Sequence, residues 1–154
     1  MLVIIFTAGI FIFNPDSYQA VVKEQGYSGV HRLKTAETNQ IIRVYQTQSG
    51  SIVQLIHVEG YKSTIELLVE INNNKVQKVN ILDHHETHDY GGYITEKWFL
   101  SRFKLPIKPK LNLVKINKVN NYDVVAVTGA TISSQAVLDG VNLCIDNYGG
   151  LRDE

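Results

Sequence analysis

Four segments in the middle of the chain have the hydrophobic pattern of β-strands. Each is rich in β-branched and aromatic residues, and polar turn sequences separate them. They are residues 41–47, 51–60, 64–71 and 76–82. The first two are joined through Ser49 and Gly50, and the last two through Asn72 to Lys75, where consecutive asparagines tolerate a positive φ. The pattern predicts two successive β-hairpins.

Two later segments have helical periodicity. In residues 96–104 (EKWFLSRFK), the aromatic side chains of Trp98, Phe99 and Phe103 are spaced to cover one face of a short helix, which favours a core role over cofactor contact. Residues 135–147 carry an apolar helical stripe, and the two glycines that follow predict its end. The apolar run DVVAV before this helix predicts a buried strand that ends at a Thr-Gly step.

The amino-terminal residues 2–13 (LVIIFTAGIFIF) form an almost uninterrupted apolar run. The run is shorter than the roughly twenty residues that a membrane-spanning helix needs, and it lacks the basic flank and cleavage site of a secretory signal. It is the end of a membrane anchor that starts upstream, a short uncleaved anchor, or a buried strand. We divide the chain into residues 1–13 as a possible truncated anchor, 14–59 as the first part of the domain, and 60–148 as its core.

Length and charge restrict the classes of function. A chain of 154 residues with 44% hydrophobic content is typical of one domain with one core. Fifteen basic and fifteen acidic residues cancel, so no global field attracts nucleic acid, and we expect no such partner. Cys144 is the single cysteine, which excludes an intramolecular disulfide, and its apolar helical setting predicts a core position.

The turn VTGATISS, between the last predicted strand and the last helix, is the main candidate for chemistry. The first N–H groups of a helix lack partners and carry the positive end of its dipole, so a helix that starts after Ser133 or Ser134 favours a phosphate here. Gly129 lets a ligand approach the backbone, and the hydroxyls of Thr128 and Thr131 lie nearby in sequence. The alternative is that the serines only cap the helix. The lysine of a P-loop is absent.

The loop DHHETHDYGG is the second candidate. Three histidines and two carboxylates within six residues are a set that binds metals in many proteins. Their spacing is not the His-Glu-x-x-His of zinc proteases. The alternative is a hydrogen-bonded loop in which Glu86 and Thr87 satisfy backbone groups. We assign no metal site.

Motifs in both candidates resemble those of the FMN-binding domain found in the G subunit of Rnf electron-transport complexes and the C subunit of sodium-translocating NADH:quinone reductase. TGATISS resembles its flavinylation signature Ser/Thr-Gly-Ala-Thr-x-Ser/Thr, and GYKSTIELLVEI resembles its Gly-Tyr and two strands. VNILDHHETHDYGG resembles its strand and His-x-Glu-Thr-Pro-Gly-Leu-Gly loop, with His88, Asp89 and Tyr90 in place of Pro, Gly and Leu. Trp98 and Phe103 match its Trp and Phe after that loop.

The resemblance covers about residues 60–145 and implies an α+β fold, an antiparallel twisted sheet packed with a few helices. It implies that FMN is the cofactor and that a separate flavin transferase links it to Thr131 as a phosphoester. By position it assigns the cofactor-binding residues Thr128, Gly129, Ala130, Thr131, Ile132, Ser133, Glu86, Thr87 and Gly91. Flavinylated relatives usually have Asp three residues before the signature, whereas this chain has Val125, and its nearest Asp is Asp123.

The function implied by the resemblance is an FMN-dependent electron relay at the outer face of the cytoplasmic membrane. Such a relay exchanges electrons with membrane redox partner subunits. The resemblance therefore favours an electron-transfer component of a complex over a stand-alone enzyme. Val125 and the altered loop motivate two alternatives: a flavin-free, membrane-tethered interaction or metal-binding module, and a reductase with noncovalent FMN. No Rossmann fingerprint indicates a nicotinamide site.

Overall fold

A computed structural model describes residues 3–6, 9–12 and 17–152. Its strands and α-helices are, in chain order, β1 (Val3–Phe6), β2 (Gly9–Ile12), α1 (Ser17–Glu24), β3 (His31–Arg32), β4 (Ile41–Gln46), β5 (Ile52–Glu59), β6 (Thr64–Asn72), β7 (Lys75–Asp83), α2 (Lys97–Leu100), β8 (Asn112–Val114), β9 (Asp123–Val125) and α3 (Thr131–Gly150). Short 3₁₀ helices cover Lys34–Ala36, Gly91–Thr95 and Ser101–Phe103.

The centre of the fold is a five-stranded antiparallel sheet in the order β3-β4-β5-β6-β7. The four strands predicted from the hydrophobic pattern are confirmed as β4 to β7. The turn between β6 and β7 is also confirmed, because Asn73 and Asn74 have φ values of 49° and 56°. Successive strands are sequence neighbours, so local turns determine most of the sheet topology.

Both faces of the sheet are covered. The larger core lies between one face and α3, and the second cluster packs Val22 of α1 against side chains such as Tyr45 and Leu55 on the other face. Gly140 lets α3 approach the sheet closely: a Cβ there would lie 2.8 Å from both Leu67 Cδ1 and Val58 Cγ1. Because both sides of the sheet are covered, six of the eight residues of β5 are buried, including Gln54.

The aromatic helix predicted over residues 96–104 forms as α2 followed by a 3₁₀ turn. Phe99 and Phe103 are fully buried and pack edge to face, with ring centroids 5.3 Å apart. The core prediction was wrong for Trp98, which is 45% exposed. The guanidinium of Arg102 lies 4.6 Å from the centroid of its ring, so the indole is covered by a cation and not by the core.

The final helix is longer than predicted at both ends. It begins at Thr131 and not after the serines, because Ser133 and Ser134 are already helical residues whose hydroxyls bond elsewhere in the protein. It runs through Gly149 and Gly150, since glycine inside a helix costs only about 1 kcal/mol relative to alanine. Cys144 is fully buried, as predicted, and burial raises the pKa of its thiol.

Strands β8 and β9 form a separate parallel pair that leads to the signature turn. The buried carboxylate of Asp123 accepts hydrogen bonds from the N–H groups of Val119 and Asn120, both at 2.8 Å, and from Asn112 Nδ2 at 3.2 Å. These bonds, the Asn120 and Val119 N–H groups first, lower the pKa of Asp123. The aspartate nearest to the signature therefore fixes the loop before β9.

The apolar run at residues 2–13 is described only in part. Within it, β1 and β2 pair antiparallel with Val3 opposite Ile12, which satisfies backbone groups of these two strands. Among the residues that the structure describes, no helix has the length and apolar content to cross a membrane. The assignment of residues 1–13 to an anchor stays a prediction, and part of it lies outside the described residues.

Candidate functional site

A cavity of about 580 Å³ opens where the amino terminus of α3 meets the loop after β7. Its volume lies within the range of about 300–1,000 Å³ that is typical of small-molecule sites. The lining residues are Tyr61, Thr87, Asp89, Tyr90, Gly91, Gly129, Ala130, Thr131, Ile132 and Ser133. The fold therefore brings both candidate motifs of the sequence to one cavity.

The amino terminus of α3 has no side-chain cap. Ala130 precedes the helix with φ −128° and ψ 44°, and no side chain bonds to the first turn as a cap. The interpretation of the serines as caps was wrong: Ser133 Oγ donates to Glu86, and Ser134 Oγ accepts from the N–H of Val127 at 2.9 Å. Uncapped N–H groups at the positive end of the helix dipole form a site for an anion beside Thr131.

Glu86 is buried beside the cavity and does not line it. Its carboxylate accepts hydrogen bonds from the N–H groups of Tyr61, Lys62 and Ser63 at 3.1, 2.9 and 3.0 Å. It also accepts a bond of 2.5 Å from Ser133 Oγ. One side chain thus ties the β5–β6 loop to the first turn of α3.

The electrostatics of Glu86 follow from these bonds. Burial by itself would raise the pKa of the carboxyl group, but the Ser133 hydroxyl and the three backbone N–H groups outweigh it and lower the pKa. Glu86 is therefore ionised at neutral pH, and the negative charge belongs to a closed hydrogen-bond network.

Two glycines make room for this network. A Cβ at Gly60 would lie 2.5 Å from Glu86 Oε1, and one at Gly91 would lie 2.8 Å from Glu86 Cβ. The N–H of Gly91 also donates to Thr87 Oγ1 at 3.1 Å. Glu86 and the four residues that donate to it, Tyr61, Lys62, Ser63 and Ser133, join the Gly-Tyr and Glu-Thr motifs behind the cavity. We call this hydrogen-bonded cluster the Glu86 brace.

Gly129 has φ +80°, which favours glycine, and its open side is occupied by Tyr90. A Cβ at Gly129 would lie 2.5 Å from Tyr90 Cδ1. The sequence predicts space for a ligand at Gly129, whereas the structure fills that space with the Tyr90 ring. The ring is 56% exposed and forms part of the cavity wall.

The predicted binding residues are distributed as follows. Seven of the nine line the cavity, whereas Glu86 lies behind it and Thr128 is exposed outside the lining. Tyr61, Asp89 and Tyr90 also line it and are not among the residues assigned to the cofactor from the sequence. The signal that could have found them was their position, since each lies within or beside a recognised motif.

The charges of the lining are sparse. None of the lining residues is Lys, Arg or His, and Asp89 is the acidic residue among them. An anion in this cavity is therefore stabilised by backbone N–H groups and the dipole of α3. A second charge on that anion would have no side-chain cation in the lining to balance it.

The histidines of the loop do not form a metal centre in the described part of the chain, where no group of three or more His, Cys, Asp or Glu side chains is positioned to hold an ion. His84 Nδ1 instead accepts the N–H of Glu86 at 3.2 Å. The carbonyl oxygen of Val125 accepts a hydrogen bond from Arg102 Nη1.

Comparisons with known proteins identify the family of this chain. The profile of the FMN-binding domain family matches residues 60–146. The G subunit of the proton-translocating ferredoxin:NAD(+) oxidoreductase complex of Clostridium ljungdahlii is 31% identical over 154 residues, which cover 93% of this chain and 82% of that protein. The G subunit of the ion-translocating oxidoreductase complex of Methanosarcina acetivorans is 31% identical over 116 residues, 70% of this chain and 59% of that protein.

Solved structures share the fold. Shewanella oneidensis NqrC has a TM-score of 0.61 and 21% identity, with 97% of this chain and 79% of that chain covered. The C subunit of the Na(+)-translocating NADH-quinone reductase of Parabacteroides distasonis has a TM-score of 0.58 and 17% identity, with 70% and 59% covered. The α+β fold class and FMN as the cofactor are thereby confirmed, and the chain belongs to the FMN-binding domain family.

Proposed function

We propose that this protein is an electron-transfer subunit that carries FMN as a phosphoester on Thr131 Oγ1. The observation that carries the proposal is the position of Thr131. It is the first residue of α3, it is exposed, and it lines the cavity at an uncapped helix terminus. A hydroxyl in that position lies where the helix favours a phosphate.

The charge balance of the cavity supports a covalent link. A free phosphate monoester such as that of FMN carries close to two negative charges at neutral pH, whereas esterification to a threonine leaves one. The lining residues supply no cationic side chain, so the singly charged diester suits the site better. The first N–H groups of α3 then stabilise one negative charge without a lysine or arginine.

The attachment needs an activated flavin nucleotide. Direct condensation of FMN with a hydroxyl would release a water molecule, and in aqueous solution the equilibrium of that reaction favours hydrolysis of the ester. In a flavin dinucleotide the FMN phosphate is part of a phosphoanhydride. Thr131 Oγ1 forms the new bond to that phosphorus, the phosphoanhydride bond breaks, the second mononucleotide leaves, and the hydroxyl proton is released. A separate flavin transferase is the expected catalyst of this step.

The remaining lining residues bind and orient the cofactor. Tyr61 and Ile132 are 65% and 56% exposed, and with Tyr90 they give the mouth of the cavity an apolar surface for a flat ring. When bound, FMN supplies one- and two-electron redox chemistry, while the protein supplies its position and its electrostatic surroundings. Behind the cavity, the hydrogen bonds of Glu86 hold the β5–β6 loop against the start of α3.

We infer the partners of this chain from its relatives. Those from Clostridium ljungdahlii and Acetobacterium woodii are G subunits of proton- and sodium-translocating ferredoxin:NAD(+) oxidoreductase complexes. We extend to this chain a role as a redox subunit of a membrane complex, located on its extracytoplasmic side. The apolar run at residues 2–13 supports a membrane attachment.

The test is the intact mass of the full chain after coexpression with a flavin transferase and acid denaturation. We expect a gain of one FMN less one water, lost in Thr131→Val and retained in Thr131→Ser, which keeps the hydroxyl. Thr35→Val is the matched control, because Thr35 is an exposed threonine that lies outside the signature and outside the cavity lining. Its mass gain should equal that of the wild type.

Two results would contradict the attachment. Acid-stable flavin on Thr131→Val would assign the link to another residue. An unshifted wild-type mass, with yellow protein that loses its colour on denaturation, would identify a noncovalent flavoprotein. The absence of the covalent link would then be attributed to Val125. A protein that stays colourless with added FMN would favour the interaction module.

A further inference from the structure

The positive charges of this neutral chain are unevenly distributed. Between Glu96 and Asp123 the sequence contains seven basic residues and no acidic one. They are Lys97, Arg102, Lys104, Lys108, Lys110, Lys115 and Lys118. Lys110 is paired with Asp146 at 2.7 Å, whereas no ion pair is found for Lys115 or Lys118 within the described residues. This region is locally cationic although the formal net charge of the whole chain is zero.

The loop after β8 combines charge with exposed aliphatic side chains. We define the lysine-aliphatic loop as Lys115, Ile116, Lys118 and Val119. Ile116 is 79% exposed and Val119 is 84% exposed, more than the other large hydrophobic residues of the part that the structure describes. Two successive Lys-aliphatic pairs thus project from one loop.

The exposure of these side chains is built into the fold. The N–H groups of Val119 and Asn120 both donate to the carboxylate of Asp123, which is itself buried. The bonds hold the end of the loop in a fixed conformation. The buried carboxylate of Asp123 faces these backbone N–H groups first, and the charge of Lys118 adds a smaller electrostatic interaction.

The sole tryptophan is connected to this loop indirectly, through Arg102 and the β8–β9 pair. Arg102 stacks on the Trp98 ring and donates through Nη1 to the carbonyl oxygen of Val125. Val125 is the register partner of Val114, which directly precedes Lys115. The chain of contacts from Trp98 to the start of the lysine-aliphatic loop is therefore short.

We propose that the lysine-aliphatic loop, together with Trp98, docks the domain on an anionic lipid bilayer surface. Exposed aliphatic side chains enter the boundary of the acyl chains, lysines reach back to anionic headgroups, and tryptophan favours the interface. All three types of residue occur here. A protein partner is less well matched, because protein interfaces are depleted in lysine.

This docking rests on the membrane location in the proposed function and adds to it. A second contact besides residues 2–13 would restrict the orientation of the domain and hold its cavity at a fixed height over the membrane. Each lysine near an anionic surface is expected to strengthen binding by about fivefold.

The experiment uses the full chain carrying its flavin and measures Trp98 emission. Vesicles of phosphatidylcholine are compared with vesicles that also contain phosphatidylglycerol, each with and without brominated acyl chains that quench tryptophan on contact. We expect quenching with the anionic vesicles. Lys115→Gln with Lys118→Gln should weaken binding about 25-fold, and Ile116→Ser with Val119→Ser should abolish the quenching.

The matched control is Lys23→Gln with Lys34→Gln, which removes the same charge from positions in other elements. Equal weakening by both pairs would overturn the proposal, since only net charge would then matter. Sedimentation with vesicles without quenching of Trp98 would also overturn it and attribute binding to residues 2–13. Unchanged binding of the Lys115→Gln, Lys118→Gln variant to the anionic vesicles would overturn it as well.

Quenching is read separately from flavin attachment. The flavin content of each sample is measured by absorbance after denaturation. Trp98 quenching in a sample without flavin would support the docking surface and contradict the cofactor proposal. Bound flavin without Trp98 quenching would support the cofactor proposal and contradict the docking surface.

Discussion

The Glu86 brace makes a quantitative prediction for Glu86→Gln in the full chain. An amide keeps one oxygen, which continues to accept from the N–H groups of Lys62 and Ser63 on the Oε1 side. On the other side the new NH₂ group faces the N–H of Tyr61, so two donors oppose each other, while the Ser133 hydroxyl can turn to accept. The change therefore loses one partly buried bond and the charge assistance of the rest.

The magnitude follows from hydrogen-bond energetics. A bond to a charged group contributes about 1.5–3 kcal/mol, and an unpaired buried donor costs about 1–3 kcal/mol. We expect Glu86→Gln to lower the free energy of unfolding by about 2–3 kcal/mol. The measurement is urea denaturation, in which the slope of the free energy of unfolding against urea concentration should not change. Glu96→Gln is the control, because Glu96 is exposed, and a surface change is expected to stay within about 0.5 kcal/mol.

The pH dependence gives an independent test of the same brace. The pKa of Glu86 is lower in the folded state than the ordinary value of about 4.3. Its stabilisation is therefore fully present above about pH 4.3 and is lost as the pH falls through the folded pKa. The difference between wild type and Glu86→Gln should be constant near neutrality and shrink in acid. A difference below about 0.5 kcal/mol, or one that does not change with pH, would refute the reasoning.

Two glycine substitutions test the packing around the site. Gly129→Ala should lower the free energy of unfolding by about 2 kcal/mol, because a left-handed backbone costs about 1–2 kcal/mol with a side chain and the new Cβ meets Tyr90. Urea denaturation should show a smaller loss of free energy when the same change is made in a Tyr90→Ala background. Equal losses in both backgrounds would exclude the contact. Gly140→Ala should destabilise by about 1–2 kcal/mol through contact with Leu67, although alanine favours helices. Gly149→Ala, with open space around it, should be neutral or stabilising by thermal unfolding, and a gain at Gly140 would contradict the close packing.

Much of the central sheet could be predicted because its information is local. Strands β4 to β7 alternate or run apolar over short windows, and Asn73 and Asn74 adopt the positive φ that consecutive asparagines tolerate. The signature turn could also be located, since a strand pattern precedes it and a helical stripe follows. The start of α3 was placed too late, because serines are common caps and their distant partners are invisible in sequence.

The roles of individual site residues depended on distant partners. For Glu86 the sequence leaves open a cofactor role and bonds to backbone groups, and in the structure its carboxylate bonds residues 25 positions before it and 47 positions after it. Trp98 was expected in the core, but only two aromatic side chains of its segment fit there, and Arg102 covers the third. Gly129 was left open to a ligand, while a loop 39 residues earlier supplies Tyr90.

The sequence by itself therefore determined strands β4 to β7, the existence of the final helix, the family motifs and the cofactor class, because these depend on short-range periodicity and on residues at fixed spacing. Only the tertiary structure decided which side chains line the cavity and which brace it. That distinction depends on where the loop after β7, the β5–β6 loop and α3 meet, and the meeting is determined by packing across the whole sheet.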